Sequence, residues 1–166
     1  MATVQCLSGA AAWQALDSGQ TDLSLLEAAL ATIPTRETGT LTDLVKEPHL
    51  FLVEYRDGLA ASVWLLNGAI RDLAFAASLK DDARGEAGGA ASRTVATWLA
   101  HHSQEPYGHF AWLLELIQDM ILTGREPFPV ERTLLTTGIL DRVMESHWRG
   151  GVRLDTPELS ARYAER

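Results

Sequence analysis

Between Leu50 and Leu79 the chain alternates short apolar runs with glycine-ended turns, and this pattern restricts the fold more than any other stretch. Leu50 to Tyr55, Leu59 to Leu66 and Ala69 to Leu79 are separated by Asp57-Gly58 and Asn67-Gly68. Asp-Gly and Asn-Gly suit type I′ turns, whose positive φ values glycine and asparagine tolerate and whose twist matches the flanking strands. Two hairpins in series are therefore expected, an antiparallel meander. A fourth strand is expected over Thr94 to Ala100, after a polar loop from Lys80 to Arg93 that reads as the most mobile part of the chain.

These runs are apolar on both faces. Phe51, Val53 and Tyr55 oppose Leu50 and Leu52, and Val63 and Leu65 oppose Trp64 and Leu66. An antiparallel sheet with one wet face alternates apolar with polar residues, and this one does not. A single helical layer covers one face, so the other is expected to meet a partner subunit or another domain. Phe51, Val53, Tyr55, Val63, Trp64 and Leu65 are the candidate interface residues. The expected assembly is a homodimer or higher homo-oligomer through the sheet.

Helical signals flank the strands. Ala2 to Leu7 reads as a short strand, Ser8 as the cap of a helix through Leu16 that ends near Gly19. Thr21 or Asp22 caps a second helix with the stripe Leu23, Leu26, Leu30 and Ile33, and Pro34 forbids its continuation. A helical turn follows around Leu41 to Lys46. Later, Trp112, Leu113, Leu116, Ile117, Met120 and Ile121 recur at helical spacing up to Gly124, which can end a helix in the left-handed conformation. Pro127 and Pro129 keep the next backbone extended, with Pro129 placed at the first position of a last helix and Glu131 near its positive end.

In that last helix Leu135, Ile139, Val143 and Leu134, Gly138 draw an apolar stripe, and Gly138 sits mid-helix at a cost of about 1 kcal/mol relative to alanine. Close backbone packing explains why it is kept. Arg132, Thr136 and Thr137 either share in that packing or face a ligand, and His109, opening the preceding helix after Gly108, is either satisfied by backbone or turned to an interface. The fold class is thus α+β: a mostly meander antiparallel sheet with helices on one face, the other face an interface, in one domain over residues 1–166.

With 22 acids against 14 bases the chain carries a formal charge of −8, which leaves no sizeable positive patch for phosphates or anionic membranes. Neither nucleic acid nor membrane is an expected partner, and no apolar run approaches the roughly 20 residues of a membrane helix. The one cysteine, Cys6, excludes an internal disulfide and fits a reducing cytoplasm. No signal peptide is readable at the N-terminus.

Chemical constellations are sparse. His101, His102 and His109 invite a metal, but adjacent strand histidines point to opposite faces and no cysteine or spaced carboxylate completes a set, so no metal site is expected. No G-x-S-x-G elbow presents a nucleophile, and Glu54, Asp57 and Asp72 are isolated along the meander. Trp13, Trp64, Trp98, Trp112 and Trp148 either stack a sugar or fill core and interface.

The segments PVERTLLTTGILDRVMESHWRGG, RLDTPELSARY and HFAWLLELIQDMILTG, with EYRDGL and LLNG before them, resemble the C-terminal region of some members of the Gfo/Idh/MocA oxidoreductase family. The resemblance covers nearly the whole chain and is most distinctive in its last third. It implies a two-part enzyme, with an N-terminal Rossmann domain that binds NAD(P) and a C-terminal α/β domain that shapes the substrate pocket and builds oligomers. Only the second part is visible: no G-x-G-x-x-G follows a strand, and the cluster from Gly85 to Gly89 sits in a polar loop. The family's Glu-Lys-Pro motif is absent, since Lys46, Glu47 and Pro48 run in another order. No catalytic or cofactor-binding residue therefore carries over to this chain.

The resemblance thus implies a domain that is non-catalytic alone, lending a pocket wall and sheet-mediated assembly to an NAD(P)-dependent enzyme acting on a sugar-like or polyol-like alcohol. The alternative is a self-sufficient small-ligand-binding or assembly module without a redox role, its ligand held near His109 and Arg132.

Overall fold

The computed structural model describes residues 1–80, 92–100 and 104–161. Elements follow in the order β1 (Thr3–Ser8), α1 (Ala10–Asp17), α2 (Leu23–Thr32), α3 (Leu41–Leu44), β2 (His49–Glu54), β3 (Ala60–Leu65), β4 (Leu73–Lys80), β5 (Ser92–Leu99), α4 (Gly108–Thr123), α5 (Val130–Trp148) and β6 (Leu154–Asp155). This is an α+β fold, as expected. Contacts divide the chain into two units: Met1–Trp13, Glu47–Leu65 and His102–Arg166 form the first, Gln14–Lys46 and Leu66–His101 the second.

The first unit holds an antiparallel sheet in the order β3-β2-β1-β6. Its register pairs Val4 with Val53 and Cys6 with Phe51 across β1 and β2, then Phe51 with Val63 and Val53 with Ala61 across β2 and β3. Those residues share one face, and α5 lies on it. Val4, Cys6, Val53, Val143 and Leu159 form the buried cluster, with Phe51, Tyr55, Leu135 and Ile139 packed against it. Phe51, Val53 and Tyr55 are therefore core under α5 rather than open interface, because α5 turns its inner stripe onto their face. A Cβ on Gly138 would run into the Leu159 side chain, so the mid-helix glycine serves close packing.

The opposite face is also covered at two places. Trp64 stacks on Trp13 of α1 with ring centroids 5.5 Å apart, and Leu50, its register neighbour, is fully buried. What stays open is narrower than the sequence suggests: Val63 and Leu65 on β3, the outer strand of this sheet.

The hairpin at Asp57-Gly58 forms, but not as a two-residue type I′ turn. The Tyr55 amide donates to Leu59 and the Gly58 amide to the Tyr55 carbonyl, leaving a three-residue loop with only Gly58 at positive φ. A type I′ turn needs two such residues. Asp57 instead accepts the Leu59 amide through its side chain at 3.1 Å.

Asn67-Gly68 does not close a hairpin at all. β3 and β4 belong to different sheets, and the expected meander stops at this point. The Leu66 carbonyl accepts both Ala69 and Ile70 amides in a local turn, and the Ala69 carbonyl is taken by the Glu37 amide of the connector. With those groups spent, the next strand starts at Leu73. Gly68 is held at φ +105°, and a Cβ there would meet the Leu44 carbonyl oxygen at 2.6 Å.

The second unit packs α2 on the β4 and β5 hairpin, whose register sets Leu73 against Leu99 and Ala76 against Ala96. Asp22 caps α2 by accepting the amides of Ser24 and Leu25. Leu26, Leu30, Ile33, Val45, Leu66 and Ala69 are buried in this unit. The expected mobile loop between Lys80 and Arg93 falls mostly outside the described residues.

Candidate functional site

Of the residues expected to face a ligand, Arg132, Thr136 and His109 are engaged locally. The Arg132 guanidinium lies over the Phe128 ring, 4.6 Å from its centroid, a cation–π contact that steadies the entry into α5. The Thr136 hydroxyl donates back to the carbonyls of Arg132 and Thr133, the usual way a mid-helix threonine satisfies itself. Thr137 is exposed on the helix surface. His109 opens α4 beside Phe110, with ring centroids 4.2 Å apart, and edge-on to Tyr107. His101 and His102 lie outside the described residues. Among the described residues no three His, Cys, Asp or Glu side chains converge as metal ligands.

Pro129 stands at the N-cap of α5 rather than inside its first turn, with φ −61° and ψ 142°. Gly124 ends α4 at φ +66°, as its position before the proline pair predicts.

One polar constellation escaped the sequence. Ser8 at the end of β1 and His49 at the start of β2 are register partners, and His147 near the end of α5 reaches both. The Ser8 Oγ and His147 Nδ1 are 3.1 Å apart, and the two imidazole centroids are 5.2 Å apart at 54°. A separation of 139 residues between Ser8 and His147 hides this pair from any spacing rule. A second cluster ties the C-terminal segment to α5: Arg142 bridges Glu145 and Glu158, and Arg149 pairs with Glu145. The Glu145 and Glu158 carboxylates raise the Arg142 pKa, and Glu158's own backbone amide, then Arg142, lowers that of Glu158.

The largest unassigned features are apolar surfaces. On the hairpin of the second unit, Leu73, Phe75, Leu79 and Leu99 share one face by register and are all exposed. In the first unit α4 buries none of its residues, and nine of its sixteen are exposed large apolar side chains, among them Trp112 at 71% and Ile121 at 73%. Its apolar periodicity was legible in the sequence; that no element covers it closely among the described residues was not.

No family model matches the chain, and neither a curated protein nor a solved structure does. Among the described residues no helix is long and apolar enough to cross a membrane.

Proposed function

We propose that this chain is the substrate-side and assembly domain of an NAD(P)-dependent oxidoreductase of the Gfo/Idh/MocA type, non-catalytic by itself and working in the cytoplasm. The observation that carries the reading is the open apolar face of the β4 and β5 hairpin, where Leu73, Phe75, Leu79 and Leu99 stand together in solvent. A soluble domain scatters its exposed apolar residues; a contiguous patch of large ones marks a surface made to be covered. The exposed Val63 and Leu65 on the outer strand β3 add a second stretch of sheet suited to pairing with another copy.

In this reading NAD(P) binds a separate Rossmann domain, and this chain supplies a wall of the pocket in which a sugar-like or polyol-like alcohol is held. The test is calorimetric and hydrodynamic. The chain alone gives no heat with NADH or NADPH, and Phe75→Glu weakens its self-association. Tight binding of either nucleotide to the isolated chain overturns the division of labour, and self-association untouched by Phe75→Glu overturns the sheet as its surface.

A further inference from the structure

We infer that α4 and the outer side of α5 form a second interface, with another copy of this chain, distinct from the sheet surface proposed above. Isolated helices of α4's length are marginal in water and owe their stability to packing. Yet no other element packs extensively along α4 among the described residues. At 100° per residue its large apolar positions other than Leu122 sweep an arc of roughly 200°, from Trp112 through Leu113 and Ile117 to Leu114. Glu115, Gln118 and Asp119 occupy what remains, together with Ala111 and Leu122. An arc that wide belongs to a helix covered along most of its circumference.

α5 offers the matching surface. Its inner side, Leu135, Ile139 and Val143, is spent on the sheet. On the opposite side Val130, Leu134, Leu140, Met144 and Trp148 are exposed, Trp148 at 83%. At 1.5 Å per residue the apolar length of α4 from Phe110 to Leu122 is about 18 Å, and that of α5 from Leu134 to Trp148 about 21 Å. Laying α4 of each copy on the outer side of the other's α5 covers both surfaces at once and closes with two-fold symmetry.

The area is sufficient. The exposed apolar side chains of α4 alone present on the order of 1,000 Å², against roughly 800 Å² per partner in a stable interface. Charge contributes nothing attractive, because Glu115, Asp119 and the Asp141 that lies among the outer α5 residues are all acidic. Association is therefore driven by apolar burial and tightens with added salt, opposite to a complex held by ion pairs.

Sedimentation equilibrium across the micromolar range tests the interface. The unsubstituted chain self-associates, and Ile121→Asp on α4 or Met144→Asp on α5 each weakens that association by roughly 100-fold. Both positions are exposed, so circular dichroism and melting of the variants are expected to match the parent. A mixture of Ile121→Cys and Met144→Cys chains gives a crosslinked pair on oxidation, whereas the buried Cys6 of the parent gives none. A parent chain that is monomeric at these concentrations sinks the proposal. So does association that both Asp variants leave intact, including the case in which Phe75→Glu alone dissolves it. Nucleotide binding, which decides the reading in the preceding section, is read separately and is not touched by these variants.

Discussion

The Ser146 hydroxyl of α5 accepts the Cys6 amide of β1 at 2.9 Å, in the buried interior of the first unit. The same oxygen donates to the Val152 carbonyl at 2.6 Å. β6 is only two residues long and pairs Thr3 with Asp155 and Val4 with Leu154. Extended in the same register, Cys6 would face Val152. Ser146 inserts its hydroxyl there, so a helix side chain continues a ladder the strand has left.

Replacing Ser146 with alanine removes the acceptor and leaves a buried amide without its partner, a loss of about 1–3 kcal/mol. Urea unfolding of Ser146→Ala should show a lowered midpoint with an unchanged slope. Ser146→Thr, which keeps the hydroxyl, separates the hydrogen bond from the packing: it should recover part of the loss.

Gly138→Ala sets two effects against each other. Alanine improves helix propensity by up to about 1 kcal/mol, while its methyl group meets Leu159 in a filled core, where overpacking costs about 1–3 kcal/mol. Strain is expected to win, with a net loss of about 1 kcal/mol. In a double-mutant cycle with Leu159→Ala the two losses should be less than additive, because the shortened side chain makes room.

The Asp22 cap gives a pH-dependent prediction. The Ser24 hydroxyl holds its carboxylate pKa below the ordinary value against the opposing effect of burial, with the Leu25 and Ser24 amides adding to the lowering. A carboxylate with a depressed folded-state pKa contributes stability that is present above its unfolded pKa, near 3.9, and lost as pH falls through the folded value. Asp22→Ala should cost about 1 kcal/mol at pH 7. The gap between parent and variant should close in acid. A gap that persists below pH 2 would show that the cap acts through something other than its charge.

Cys6 is buried, and desolvation pushes its thiol pKa up, with a smaller opposing effect from Ser8. The thiolate is the reactive form, so Cys6 should resist disulfide reagents at pH 8 in the folded chain and react at once in denaturant. Ser146→Ala should speed the native reaction in proportion to the stability it removes, since exposure then requires opening of the β1 and α5 contact.

Local signals were written in residues a few positions apart. Asp22 before Leu23, Pro34 after Ile33, Gly124 before Pro127 and the stripe Leu135, Ile139, Val143 all found their expected element, because caps, breakers and helical stripes act within a turn or two. Gly138 was legible in the same way, since a residue that weakens its own helix must be needed for something. Asn67-Gly68 misled because the turn dipeptide and a hairpin are separable. The dipeptide does turn the chain, but the Ala69 carbonyl beside it is claimed by the Glu37 amide and the Leu44 carbonyl oxygen lies against Gly68, contacts that no two-residue pattern encodes.

The sequence by itself determined where the helices and most strands lie, that apolar residues exceed what one face of a sheet can hide, and that its one cysteine can form no disulfide within these 166 residues. Only the tertiary structure decided which apolar residues are spent and which are spare. Phe51, Val53 and Tyr55 read as interface and are core, whereas Leu73 and Phe75, which carried no such reading, stand exposed, and α4 looked like any packed helix. Periodicity states that a face is apolar; whether something covers it depends on register and on which distant segment returns to it. In β1 and β2 that segment is α5, brought back across some 140 residues to set Ser146 on Cys6.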